Sequence, residues 1–83
     1  MRFLITATEQ LGPTLKGLRR AAGLTQTQVA LAGGLQQKTV SMLENDPQRC
    51  TVESLIRYLV AVGTPLNLEQ GVAQPQAGAR AAW

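Results

Sequence analysis

Residues 25–45, TQTQVALAGGLQQKTVSMLEN, decide the fold of this chain. Thr25 is a capping residue, and Val29 with the small Ala30 forms the inward face of a short helix from Gln26 to Ala32. Gly33 and Gly34 end that helix by permitting positive backbone angles. A second helix is expected from about Gln37 to Asn45, with Leu35, Val40 and Leu43 inward. Asn45, Asp46 and Pro47 stop it. Its outward face carries Gln, Lys, Thr and Ser in place of apolar side chains. In so short a chain, two helices at a tight turn with such a face are more economically explained as a DNA-reading device than as core.

The flanks supply the packing partners. Upstream, Phe3, Leu4 and Ile5 form a short extended arm ending at Thr6. Thr8 or Thr6 can cap a first helix, with Glu9 in its first turn and Leu11, Leu15 and Leu18 as its buried stripe. Pro13 lacks a donor and is expected to bend or fray the first turns unless it lies near the start. Lys16, Arg19 and Arg20 suit the last turns of that helix, and Gly23 supplies a left-handed stop. Downstream, Gln48 to Cys50 make a loop and Thr51 caps a last helix. Val52, Leu55, Ile56, Leu59, Val60 and Val62 give that helix a broad apolar face, and Gly63 ends it.

The pattern then changes period. In TPLNLE, residues 64–69, Leu66 and Leu68 alternate with polar residues, which predicts a short strand over Pro65, Leu66, Asn67 and Leu68. A lone strand leaves its backbone groups unpaired. Its partner is the Phe3–Ile5 arm, the same strand of a second subunit, or both. From Gly71 the composition turns to Gly, Ala, Gln and Pro, which cannot bury enough surface to order itself. The expected organisation is a folded unit over residues 1–70 and a flexible tail over 71–83, ending in Trp83.

Composition narrows the function classes. A chain of 83 residues buries only about 60% of its unfolded surface, so dimerisation would help it. Phe3, Tyr58 and Trp83 are its three aromatics, so the core must be mostly aliphatic, which suits packed helices. The net charge of +3 fits a polyanion partner without demanding one. Cys50 is the one cysteine, which excludes an internal disulfide and points to a reducing cytoplasm. No apolar run reaches membrane-spanning length, and Phe3–Ile5 is too short for a signal peptide. Histidine is absent, the five carboxylates are scattered, and no phosphate-loop or dinucleotide fingerprint occurs. No catalytic residue, metal site, cofactor or small-molecule ligand is expected, nor is an enzyme.

The segments LRRAAGLTQTQVA, GLQQKTVSMLEN and TVESLIRYL, between Leu18 and Leu59, resemble the Xre-type helix-turn-helix family, which includes the small phage repressors. The whole chain resembles the HipB antitoxins more closely. It shares with them the amino-terminal arm, the Asn-Asp-Pro loop after the helix-turn-helix, the Leu-x-Leu strand and the terminal Trp. The resemblance implies an all-α, lambda-repressor-like domain of four to five helices. It also implies a homodimer in which the C-terminal strand completes an intersubunit sheet. The implied activity is repression of its own operon at a palindromic operator in the bacterial cytoplasm, at the nucleoid. The implied protein partner is a serine/threonine kinase toxin.

Side-chain chemistry assigns roles within that frame. Gln37 suits adenine N6 and N7, Lys38 suits guanine O6 and N7, and Thr39 can offer its methyl to thymine. Met42, one turn on from Lys38, suits a thymine methyl or the core. Ser41 suits a phosphate. By resemblance, Gln26 is a phosphate contact at the positive end of its helix and a buttress for Gln37. Gln28, Lys16 and Arg49 are further backbone candidates, which position a protein without carrying sequence code. By the same resemblance, Arg19 and Glu44 pair across the domain. Trp83 is either an anchor in a partner's pocket, a residue folding back on its own domain, or one without a role. Two other functions remain open: a stand-alone repressor without a toxin, and an interaction module that has lost DNA binding.

Overall fold

The computed structural model describes residues 4–68 and 70, so Trp83 and the tail lie outside the described residues. Four α-helices follow one another: α1 (Thr8–Ala21), α2 (Gln26–Gly33), α3 (Gln37–Asn45) and α4 (Val52–Ala61), with a single 3-10 turn at Pro47–Arg49 between the last two. The chain is all-α among the described residues. None of its described helices is long and apolar enough to cross a membrane.

Local chemistry sets most of the boundaries. The Thr25 hydroxyl accepts from the Gln28 N–H at 3.1 Å, and the Gln28 side-chain oxygen accepts from the Thr25 N–H at 2.8 Å. This reciprocal box satisfies two donors that a helix start leaves orphaned. Thr51 accepts from the Ser54 N–H at 3.1 Å and so caps the start of α4. The start of α1 differs from expectation, because Ala7 and not Thr6 or Thr8 is its capping residue. The Gln10 side chain compensates by accepting from the N–H groups of Thr6 at 2.7 Å and Ala7 at 3.2 Å. Pro13 lies inside α1 without interrupting it. Next to the hydrogen bond that proline deletes, the Thr14 hydroxyl donates to the Gln10 carbonyl at 2.8 Å.

Two glycines expected to act alike have different tasks. Gly34 is in the left-handed region at φ 67° and terminates α2. Gly33 is the last residue of α2, and a Cβ there would lie 3.0 Å from the Arg57 carbonyl oxygen of α4. It is small because α2 and α4 cross closely. Expected stops at Gly23 and Gly63 also have positive φ.

The core is Leu15 from α1, Val29 and Ala30 from α2, Val40 and Leu43 from α3, and Tyr58 and Leu59 from α4, with Val62 closing its end. Leu11, Leu18, Leu35 and Leu55 pack around it. The aliphatic stripes are those the spacing predicts, but Tyr58, fully buried, is a central residue that helical spacing of aliphatics passes over.

The broad face expected of α4 is divided. Leu55, Leu59 and Val62 turn inward, whereas Val52, Ile56 and Val60 are 68%, 40% and 60% exposed. These three recur every fourth residue, so they form one stripe along the helix. Beside α4, Leu4, Ile5, Leu11, Leu18, Leu55, Leu59 and Leu66 line an open groove. Pro65, Leu66, Asn67 and Leu68 are exposed and form no strand in the single chain. A strand requires a hydrogen-bonding neighbour, and the described residues of one copy supply none; Phe3, part of the arm expected to pair here, lies outside the described residues.

Candidate nucleic-acid interface

The second helix of the turn unit is fixed by its inner side. Val40 and Leu43 are buried, and Glu44 on the same side is only 5% exposed. At 100° per residue, Lys38, Ser41, Met42 and Asn45 then fall on the opposite half of α3, while Gln37 lies on the flank above Glu44, in the first turn. Gln37 and Lys38 are exposed, Ser41 and Met42 are half-buried, and the side chain of neither Gln37 nor Lys38 hydrogen-bonds another described residue. Two long polar side chains at the free N-terminal end of a rigid helix can present donors and acceptors to base edges. Thr39 is half-buried on the flank of α3 across from Ser41. Asn45, expected only as a helix stop, is exposed on the outward face and donates to the Ser41 carbonyl at 2.8 Å.

The phosphate candidates divide between elements. Gln28 is exposed at the start of α2, and its side-chain oxygen is committed to the Thr25 cap, leaving its amide N–H groups free of that duty. Lys16 is half-buried on α1. Arg49, in the 3-10 turn, is exposed and lies 3.7 Å from Asp46, a surface pair worth at most about 1 kcal/mol. No hydrogen bond or ion pair among the described residues joins Lys16 or Arg49 to the outer face of α3.

Behind this surface lies a buried carboxylate. Arg19 Nε and Nη2 donate to Glu44 Oε2 and Oε1 at 2.6 and 3.1 Å, and the two side chains are 11% and 1% exposed. The guanidinium also reaches the Leu24 carbonyl at 3.0 Å through Nη1. Tyr58 Oη lies 2.6 Å from Glu44 Oε2 and 2.9 Å from the Leu15 carbonyl oxygen. Gln26 Nε2 donates to Glu44 Oε1 at 3.2 Å. One carboxylate thus joins α1, α2, α3 and α4. Burial alone would push the Glu44 carboxyl up. Hydrogen bonds from Arg19, Tyr58 and Gln26, with the Arg19 charge, outweigh that and hold it below the usual range. Burial, then the Glu44 hydrogen bond and charge, push the Tyr58 phenol up.

The ion pair of Arg19 and Glu44 is therefore as the resemblance implied, but two of its partners are not. Tyr58 had no assigned role, and its signal was only that a lone aromatic with a polar tip sits amid an aliphatic stripe. Gln26 forms its described side-chain hydrogen bond with Glu44 and not with the Gln37 it was expected to buttress. Cys50 is half-buried, and burial, followed by the Asp46 charge, raises its thiol pKa. No group of three or more His, Cys, Asp or Glu among the described residues could hold a metal ion.

Residues 15–68, covering the turn unit and its packing partners, match the helix-turn-helix family. The chain belongs to that family, in its Xre-like group. No curated protein matches it in sequence. Solved structures do. A chain of a HipA-HipB-O2-O3 complex superposes with a TM-score of 0.76 at 28% identity, covering 83% of this chain and 97% of that one. A chain of a HipB-O1-O2 complex superposes at 0.75 and 28% identity, covering 83% of this chain and 100% of the other. A chain described as an MDT protein gives 0.75 and 28% over 83% of this chain and 97% of its own. This helix-turn-helix protein is thus HipB-like over nearly the full length of those chains.

Proposed function

We propose that this helix-turn-helix protein is a sequence-specific DNA-binding antitoxin. It acts as a homodimer that represses its own operon and binds a HipA-like kinase toxin. The observation that carries the reading is the outer face of α3. The Gln37 and Lys38 side chains stand exposed at the N-terminal end of a helix whose inner side is held by Val40, Leu43 and Glu44, and neither hydrogen-bonds another described residue. In this reading Gln37 and Lys38 contact base edges, with Thr39 and Met42 at the margins. Gln26, Gln28, Ser41, Lys16 and Arg49 meet phosphates. The α4 stripe and the Pro65–Leu68 segment form the dimer contact, and two-fold symmetry sets two α3 helices about 34 Å apart in successive major grooves.

Likeness to HipB chains in complexes that also contain O1, O2 or O3, and in one case HipA, supports both partners. The test is binding of the full chain to a duplex of its own promoter region across a salt series. Affinity should fall steeply as salt rises, and Gln37→Ala with Lys38→Ala should abolish the preference for that duplex over random DNA. A flat salt response, or an unchanged preference in the double variant, would leave an interaction module without DNA binding. Deleting residues 74–83 separates antitoxin from stand-alone repressor: the truncated protein should still bind the duplex and should no longer neutralise the kinase.

A further inference from the structure

Gln26 has two amide hydrogens and one amide oxygen, and which of them faces outward decides what it can bind. Its inner neighbour is Glu44 Oε1 at 3.2 Å. A carboxylate only accepts, so the amide nitrogen must face inward, and the flip state that would turn the oxygen towards Glu44 is excluded. The carboxylate cannot swing to accommodate another arrangement. Arg19 grips both of its oxygens, and the Tyr58 hydroxyl lies 2.6 Å from one of them. Glu44 is 5% exposed and Gln26 half-buried, so the contact is shielded from water.

The second amide hydrogen lies about 120° from the first, by the trigonal geometry of the nitrogen, and is directed away from Glu44. Gln26 is also the first residue of α2, whose N–H groups point towards its amino-terminal end. A phosphate oxygen accepts only, so it requires the hydrogen and not the oxygen of the amide.

We propose that Glu44, with no contact to DNA itself, is a positioning residue for operator binding: it orients the Gln26 amide so that one N–H is presented to a phosphate. This rests on the phosphate role of Gln26 given above. It makes the buried ion pair part of the binding apparatus, because Arg19 and Tyr58 hold Glu44 and Glu44 holds Gln26.

A double-mutant cycle on the full chain tests it, with a duplex of its own promoter region as probe and each variant's folded fraction set by circular dichroism. Gln26→Ala should weaken binding about tenfold, the size of one charge-assisted hydrogen bond. Glu44→Gln should weaken it in the wild-type background and have little further effect in the Gln26→Ala background. Equal losses in both backgrounds would overturn the positioning role and leave the phosphate contact standing. No loss on Gln26→Ala alone would overturn the phosphate contact and the positioning role together. Should Glu44→Gln fail to fold, the side-chain amide of wild-type Gln26 decides by nuclear magnetic resonance. Its hydrogens should exchange more slowly and its order parameter be higher than those of exposed Gln37, and equal mobility would overturn the proposal.

Discussion

The phenol of Tyr58 lies 2.6 Å from Glu44 Oε2, joining the last helix of the fold to the last turn of α3 in its interior. The hydroxyl has a single proton and two acceptors in reach, the carboxylate and the Leu15 carbonyl. The charged acceptor makes the stronger bond. Tyr58→Phe keeps the ring, and hence the packing, and removes only this hydroxyl. It should destabilise the protein by about 1–3 kcal/mol, because a buried carboxylate loses one of its donors. Thermal and urea unfolding would measure it. Arg19 remains on the carboxylate, so the variant should still fold; a loss below about 0.5 kcal/mol would place the hydroxyl outside the network.

Gly12 and Gly17 lie on the same helix and should respond to the same substitution with opposite signs. A Cβ on Gly12 would sit 2.5 Å from the Glu44 backbone oxygen, whereas one on Gly17 would meet nothing within 4 Å. Gly17→Ala should stabilise by about 0.5–1 kcal/mol through helix propensity alone. Gly12→Ala gains the same propensity but forces α1 and α3 apart at a backbone contact that cannot rotate away. Overpacking of this kind costs about 1–3 kcal/mol, so the net change should be a loss. Denaturant midpoints of the two variants, with unchanged slopes, check both signs.

These contacts also mark where the sequence was legible. Helical spacing located Leu15, Val40 and Leu43, and cap chemistry located Thr25 and Thr51, because both signals are local. The outward position of Lys38 follows from the same periodicity, whereas Gln37 is exposed because it stands in the first turn of α3. Gly12 and Gly33 were not legible as close-approach residues, since what they approach is 32 and 24 positions away, at Glu44 and Arg57. The hydrogen bond of Gln26 to Glu44 and that of Tyr58 to Glu44 depend on how three helices cross. No spacing within one helix carries that information. The strand expected at Pro65–Leu68 is legible as alternation, but alternation cannot supply the partner that would pair it.

The carboxylate network should give stability a pH dependence at both extremes. Glu44 is held below its ordinary value of 4.5, so the unfolded chain takes up the proton first as pH falls. Its contribution is complete above about 4.5 and is lost as pH drops from there through the folded value. Tyr58 is held above its ordinary value of 10.0, so its contribution is complete below about 10 and is lost as pH rises beyond it. Unfolding free energy measured from pH 3 to 11 should therefore form a plateau with falling limbs. In Glu44→Gln the acid limb should flatten, and in Tyr58→Phe the alkaline limb. A wild-type acid limb that survives unchanged in Glu44→Gln would assign it to other groups.

The α4 stripe allows assembly to be separated from folding. Ile56 is 40% exposed and lies between Val52 and Val60, one turn away on either side and both more exposed, so in one copy a charge at this position keeps access to water. Ile56→Glu should therefore change the unfolding free energy of a dilute monomer by no more than about 0.5 kcal/mol. Between two copies the same charge would be buried without a partner, which costs several kcal/mol. Sedimentation of the wild type should report a dimer and that of Ile56→Glu a monomer, with the circular dichroism spectrum of folded helices retained in both. Promoter binding should weaken in step with the loss of the dimer, because one α3 helix alone reaches a single half-site. A variant that remains dimeric would move the subunit contact off this face of α4. One that lost its helical spectrum would instead make the stripe part of the core of each copy.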